Sequence, residues 1–423
     1  MVIKKKSFYA FLFAIVIFAQ LYVESFRINT VLQISALSIY FNFEKFVLPI
    51  RLIKNILPVV ILFFIGFAGF FFHDYSTFNF VKDIFHFIKP ILGISIGYLF
   101  FSKSQNIAVF IKTIIFVSLF SAIIHLIVLL ATGSIFTGSV EAIRSLSRDN
   151  FLELFAIFFL IYFRKFQGYL LFEKKIIHRL ILGLLLLSCI LYFSRTMLIV
   201  AFILYASVNG YTRLTVKSIK IIGVFLLCVG LMYAYLFSIK IDRRAEGLEN
   251  FLFKIKNAPE ELFVTKINRN DHKDLWDHWR GYEAKRALEL MKKQPSSYVV
   301  GTGQGSLVNL KFKAPLTSDG SKGLKYISEL HNGYIYIFYK TGIIGLVILL
   351  SFLFSIYNTI NKKEWKNKMD AVFISAIGII FLFSTLTITG IYNSRDIIIF
   401  ILGALLFFLH KENVDLKIKD EAN

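Results

Sequence analysis

Charge is scarce in this sequence, and acid is scarcer than base. Asp, Glu, Lys and Arg make up 18% of 423 residues, with 27 acids against 48 Lys and Arg. A soluble chain carries about 25% charged residues, so two or three water-soluble domains are a poor description. Cysteine is nearly absent. Cys189 and Cys228 both fall inside apolar runs, which speaks against a disulfide framework or a cysteine-built metal cage. There is no Walker loop and no H-E-x-x-H helix. The first apolar run follows Met1-Val2-Ile3-Lys4-Lys5-Lys6, but no small-residue cleavage site closes it. It reads as a retained first helix rather than a signal peptide.

What is present is apolar. The chain is 57% hydrophobic, with 48 Phe and 20 Tyr, residue types that suit lipid-facing surfaces and interfacial belts. The excess forms blocks near 7–23, 29–43, 53–72, 80–101, 107–132, 150–164, 176–193, 196–210, 217–239, 332–359, 370–390 and 395–410. A helix needs ~20 mostly apolar residues to cross ~30 Å of hydrocarbon, so the blocks predict about twelve spans. The second, sixth and eighth are short or interrupted. The expected fold is an all-α polytopic membrane protein. Its parts would be an N-terminal bundle over 1–239 with about nine spans, a large extracytoplasmic loop over 240–331, about three further spans over 332–410, and a cytoplasmic tail over 411–423.

A net charge of +21 would suit nucleic acid if the cations shared one soluble face. They do not. With the N terminus in the cytoplasm, the connections that fall inside hold Lys45, Arg51, Lys54, Lys103, Arg164, Lys165, Lys174, Lys175, Arg213, Lys217, Lys220, Lys362, Lys363, Lys366 and Lys368. The short outer connections hold few cations, which is the positive-inside pattern of a plasma-membrane protein with both termini inside. The first outer connection holds Arg27 and that over 73–79 holds none; the outer exceptions are Arg144, Arg148, Arg195 and Arg395. The segment 240–331 is the one long polar stretch. A helix is predicted from about Asp274 to Lys293, stopped by Pro295.

Four motifs could carry chemistry. Ser194-Arg195-Thr196 is wedged between apolar blocks. Arg195 could anchor a helix end at the interface by snorkelling, or it could serve as a fixed anion fork, since guanidinium stays charged and grips phosphate bidentately. Trp276-Asp277-His278-Trp279-Arg280-Gly281-Tyr282-Glu283 sets three aromatics beside a cation. Trp276, Trp279 and Tyr282 could stack on sugar rings, or the helix could lie on the membrane surface. Gly301-x-Gly303-x-Gly305 lacks the β-α-β setting of a dinucleotide fingerprint and reads as a tight turn where backbone approaches a ligand or a helix. His331-Asn332-Gly333 stands where the loop returns to the membrane. An interfacial His is commonly structural, yet imidazole is well poised to take a proton from a hydroxyl. His272, His278 and His331 with nearby Asp match no familiar metal spacing, so no metal is expected.

Taken together, Ser194-Arg195, Arg280, Gly301/Gly303/Gly305, His331-Asn332 and Gly342-Ile343-Ile344-Gly345-Leu346 resemble the bacterial O-antigen polymerase/ligase family over about 190–350. Arg144, Arg148 and Asn150 loosely resemble its Arg-rich turn, with Asp149 in place of the usual Pro. The resemblance implies a glycosyltransferase using no cofactor, metal or nucleotide sugar. Its donor would be an undecaprenyl-diphosphate-linked glycan on the outer face of the inner membrane, and an acceptor glycan hydroxyl would attack the anomeric carbon. Arg195 and Arg280 would hold the leaving diphosphate, with Arg395 and Arg148 in lesser roles. His331 would activate the acceptor, with Asp277, Glu283 and Glu329 competing as base. Trp276, Trp279, Tyr282, Gly303 and Asn332 would bind substrate. A chain-length regulator and membrane lipid would be partners, and nucleic acid would not. Polymerase is favoured over ligase. A flippase would be expected to show two matching halves, and none is apparent.

Overall fold

The computed structural model describes residues 5–44, 46–71, 75–136, 140–146, 151–241, 248–264, 266–268, 271–315, 323–362, 365 and 368–421. Every apolar block read from the sequence lies on a helix. In chain order these are α1 (Lys5–Tyr22), α2 (Phe26–Phe43), α3 (Ile50–Ile65), α4 (Thr77–Ser104), α5 (Ile107–Ala131), then, after a short α6 (Val140–Leu146), α7 (Leu152–Gln167), α8 (Lys175–Leu191), α9 (Arg195–Val208) and α10 (Val216–Ser238). The polar segment carries α11 (Leu248–Phe263), α12 (His272–Asp277), α13 (Trp279–Met291), α14 (Ser297–Val300) and strands β1 (Val308–Ala314) and β2 (Leu324–Ile327). The chain closes with α15 (Gly333–Tyr357), α16 (Met369–Ile388) and α17 (Ile398–Glu421).

Among the described residues, six helices are long and apolar enough to cross a membrane: Ile50–Gly69, Thr77–Ser104, Ile107–Ala131, Val216–Ser238, Gly333–Asn361 and Met369–Ile388. Shorter apolar helices run over Ser7–Tyr22, Arg195–Val208 and Ile398–Lys411. The protein is therefore a nearly all-α membrane protein, and the structure supports six such helices rather than the full count of apolar blocks.

Two expectations for the polar segment need correction. It is not purely helical, because β1 and β2 pair antiparallel, Val308 opposite Ile327. Nor is 274–293 one helix. His278, at φ −112° and ψ 12°, breaks it between α12 and α13. The break lets Trp279 and Tyr282 turn onto β1, where Tyr282 donates to the Leu310 carbonyl at 2.6 Å.

The tightest helix pair is α4 against α17. A Cβ at Gly97 would collide with the Phe400 carbonyl, and one at Gly403 with the Ile94 carbonyl. Small residues here let two backbones touch, which is how helices gain dispersion contact where lipid removes the hydrophobic drive. By contrast α10 buries only Ser218 and Leu236 against the protein, so its apolar surface is left for lipid.

Contacts sort the connections into two ends. At one end Lys103 pairs with Glu44 at 2.8 Å, Arg51 donates to the His410 carbonyl at 2.7 Å, and Tyr357 donates to the Thr212 carbonyl at 3.0 Å. The cation-rich connections meet here. At the other end described residues of the polar segment meet the α3–α4, α8–α9 and α16–α17 turns: Tyr75 donates to the Thr302 carbonyl at 2.7 Å, Arg195 pairs with Glu261 at 3.2 Å, and Thr389 N–H donates to the His331 carbonyl at 3.0 Å.

The glycine turn fixes that cover. Gly301, Gly303 and Gly305 have φ of +79°, +82° and +88°, a region that a Cβ disfavours. Gly303 lies against Gly69, and Gly301 against the Lys340–Thr341 peptide. Thr302 and Gly303 N–H groups donate to the Tyr339 and Lys340 carbonyls at 2.8 and 3.0 Å. Those carbonyls are open because Gly342, at φ +66°, interrupts α15. Beneath the turn, fully buried Lys340 pairs with fully buried Asp83 at 2.5 Å, and Asp83 also accepts from Gly305 N–H at 2.7 Å. The motif is thus a clasp between the polar segment, α3, α4 and α15.

Candidate functional site

The site forms where α9, α11 and α13 meet the α16–α17 turn. Phe193, with φ +46°, reverses the chain after α8. Ser194 then caps α9, accepting from Met197 N–H at 3.4 Å. This places Arg195 on the first turn of α9, at the end covered by the polar segment. Glu261, near the C-terminal end of α11, receives it: Arg195 Nη2 lies 3.2 Å from Glu261 Oε1. The other oxygen, Oε2, accepts from Arg280 Nη1 at 2.6 Å. One carboxylate therefore holds the two arginines that the sequence singled out.

Further contacts fix each guanidinium. Arg195 Nη1 donates to the Lys254 carbonyl, and Arg280 Nε donates to the Thr387 carbonyl at 3.2 Å. A guanidinium carries five N–H donors, so each retains donors that no contact among the described residues uses. The side chains are 26% and 27% exposed, enough for a ligand to reach them. Two cations share one anion, leaving a net positive site. Buried or half-buried charge of that kind is best satisfied by a further anion.

His331 lies beside this cluster. Its N–H donates to Glu283 Oε2 at 3.0 Å, and its Nδ1 is 3.2 and 3.1 Å from the two Glu283 oxygens. Glu283 is 2% exposed while His331 is 49% exposed. A carboxylate on Nδ1 selects the tautomer with the proton there and leaves the Nε2 lone pair free. The two clusters share an anchor. Thr389 N–H donates to the His331 carbonyl at 3.0 Å, two residues from the Thr387 carbonyl that holds Arg280. Two residues span at most ~7 Å, so the dyad and the guanidinium pair border the same space.

Other residues named from sequence fall differently. Trp279 is 2% exposed and Tyr282 7% exposed. Both pack with Phe312, so they form the core of the polar segment rather than an open sugar platform. Burial of a large aromatic against a hairpin gains more apolar contact than solvent exposure would. Trp276, half-buried, stays nearer the surface. Gly303 touches protein backbone in the clasp, not open space. Asn332 caps α15, accepting from Tyr334 and Ile335 N–H at 3.1 and 3.2 Å. Arg395 is exposed on the α16–α17 turn. Arg148 and Asn150 lie outside the described residues.

Of the competing bases, Glu283 orients His331, and Asp277 ends α12. Glu329 binds Lys82 at 3.2 Å and His86 at 2.8 Å. Burial pushes its carboxyl up, but the hydrogen bond and charge of His86, with Lys82, outweigh that and bring it down to about 2. A carboxylate so weakly basic is a poor proton acceptor. Among the described residues no three His, Cys, Asp or Glu side chains converge as a metal cage.

Sequence reasoning missed Glu261. It sits in Ala258-Pro259-Glu260-Glu261, an acid pair late in an amphipathic helix, and nothing in its spacing links it to residues 66 and 19 positions away. Residues 180–350 match the family model described as O-antigen ligase. Over that stretch the chain is similar to the O-antigen polymerase/ligase family. No curated protein and no solved structure matches the chain. The family match opens within α8 and closes within α15, so it contains Arg195, Glu261, Arg280, Glu283 and His331. Members of the family are glycosyltransferase-like enzymes and act on lipid-linked glycans.

Proposed function

We propose that the protein polymerises undecaprenyl-diphosphate-linked repeat units into a surface polysaccharide, on the outer face of the inner membrane. The observation that carries this reading is the pair Arg195 and Arg280, held by Glu261, beside a His331 oriented by Glu283. The acceptor hydroxyl gives its proton to His331 Nε2 as its oxygen bonds to the anomeric carbon of the donor. The bond from that carbon to the diphosphate oxygen breaks, and undecaprenyl diphosphate departs with the electron pair. Glu283 stabilises the imidazolium that forms. Negative charge grows on the leaving diphosphate as the bond lengthens, so donors aimed at it stabilise the transition state more than the ground state, by ~3–4 kcal/mol each. In this reading both termini lie in the cytoplasm and segment 240–331 lies outside, an orientation supported by the cation pattern. The chemistry needs no metal or nucleotide.

In cells, Arg280→Gln should leave lipid-linked single repeats on the outer leaflet and abolish polymer. Normal polymer from this variant would refute the proposal. Repeats confined to the inner leaflet would point to a flippase. The matched family's description favours a second reading, a ligase that transfers finished glycan to lipid A core or protein. A deletion strain separates the two: single repeats mark a lost polymerase, and accumulated lipid-linked polymer marks a lost ligase. Turnover by purified protein in EDTA tests metal independence.

A further inference from the structure

A second opening lies at the same end of the molecule, and all of its lining residues but Glu329 fall outside the family match. It is a cavity of about 350 Å³ lined by Ser25, Phe26, Arg27, Lys82, Phe85, His86, Glu329 and Ser394. That volume suits a small organic ligand such as one or two sugar rings. Its walls come from Ser25 and the first residues of α2, residues 82–86 of α4, Ser394 of the α16–α17 turn, and Glu329 of the polar segment, none of which gives a side chain to the guanidinium pair. Glu329 is two residues from His331, so their Cα atoms are at most ~7 Å apart. His331 therefore lies close along the chain to the wall of this cavity.

The charges in the cavity are unequal. Glu329 is already shared by Lys82 and His86, and His86 stacks on Phe26 with ring centres 4.0 Å apart, which fixes that wall. Arg27 has no carboxylate partner among the described residues; its guanidinium lies over the Phe78 ring at 4.7 Å. Arg27 is exposed and Lys82 half-exposed. The cavity thus offers one uncommitted guanidinium, an ammonium, one carboxylate able to accept from hydroxyls, and the faces of Phe26 and Phe85. Aromatic faces and a carboxylate suit a sugar ring, and the excess cation suits an anion on it.

We propose that this cavity is the acceptor subsite and that it takes a sugar bearing an anionic group, carboxylate or phosphate, met by Arg27 and Lys82. The inference rests on the glycosyl transfer proposed above and adds what the acceptor must carry. The anion could be a uronic-acid carboxylate or a phosphate joined to the acceptor sugar. The test is a binding measurement on the full-length protein in lipid nanodiscs, using methyl glucuronide, glucose 1-phosphate, neutral methyl glucoside and farnesyl diphosphate as probes. One of the two anionic sugars should bind about tenfold more tightly than the neutral one. The carboxylate probe winning identifies an acidic sugar; the phosphate probe winning identifies a sugar phosphate. Arg27→Gln and Lys82→Gln should each remove most of that preference and leave farnesyl diphosphate binding intact, and Arg27→Lys should restore part of it. Equal affinity for charged and neutral sugars, or an unchanged preference in Arg27→Gln, would overturn the proposal. Failure of the parent reading is visible separately, as farnesyl diphosphate binding that ignores Arg195→Gln and Arg280→Gln.

Discussion

Two carboxylate–cation clusters lie at the same end of the molecule and are built in opposite ways. Asp83 and Lys340 are sealed, both fully buried, and tied to the backbone of Gly305 and Ser306. Glu261 instead serves two guanidiniums, each about a quarter exposed, with donors to spare. The first arrangement has no room for a competing anion and removes all freedom. The second holds its cations in place but underfills them. The difference teaches that an ion pair's role is read from its stoichiometry and exposure rather than from its length. Sealed one-to-one pairs lock a fold, and open two-to-one clusters await a ligand.

The sharpest way to break this contrast is to remove one partner from each cluster. Asp83→Ala would strand a buried ammonium, which costs about 3–5 kcal/mol. Unfolding of the purified protein should shift by that much, and a variant as stable as wild type would show that the clasp locks nothing. Arg280→Gln should leave unfolding within about 1 kcal/mol of wild type, because Glu261 keeps Arg195 as its partner and a partly exposed pair contributes little. Its turnover should nevertheless fall about 10²–10³-fold; equal losses of stability and activity would erase the distinction. A smaller effect is expected at the dyad. Glu283→Gln should slow turnover by about 10²-fold by freeing the imidazole tautomer, with the KM for the donor unchanged. A loss confined to KM would instead mean that Glu283 acts in binding.

The smallest effect concerns pH. The Glu329 carboxyl is lowered from 4.5 to about 2 on folding. A depressed carboxyl contributes stability that is fully present above about 4.5 and is lost as the pH falls towards about 2. Melting temperature should decline across that window in wild type and decline less in Glu329→Gln. Parallel curves would show that the Lys82–Glu329–His86 cluster does not couple to folding.

Much of the architecture was legible because its signals are local. Apolar blocks mark helices, since each must satisfy its backbone internally, and the Lys-rich connections that share one end of the structure were separable from the Arg-bearing ones at the other. Ser194-Arg195, Arg280 and His331 were legible as polar groups set against apolar runs. What sequence could not show is pairwise. Glu261 becomes visible only when α11 folds over α9 and α13. The aromatic run 276–282 reads the same whether it faces sugar or a hairpin, and the break at His278 decides that Trp279 and Tyr282 face the hairpin. The glycine turn reads the same whether it cradles a ligand or a helix, and Gly69 and Gly342 decide for the helix. The cavity beside Glu329 joins residues more than 200 positions apart, which no motif spans.

The central claim is that Arg195 and Arg280 grip the departing diphosphate. Product inhibition measures that grip directly. Farnesyl diphosphate added to a polymerisation assay should inhibit the wild-type protein, and its inhibition constant should rise about tenfold or more in Arg195→Gln and in Arg280→Gln. An inhibition constant unchanged in both variants would contradict the account.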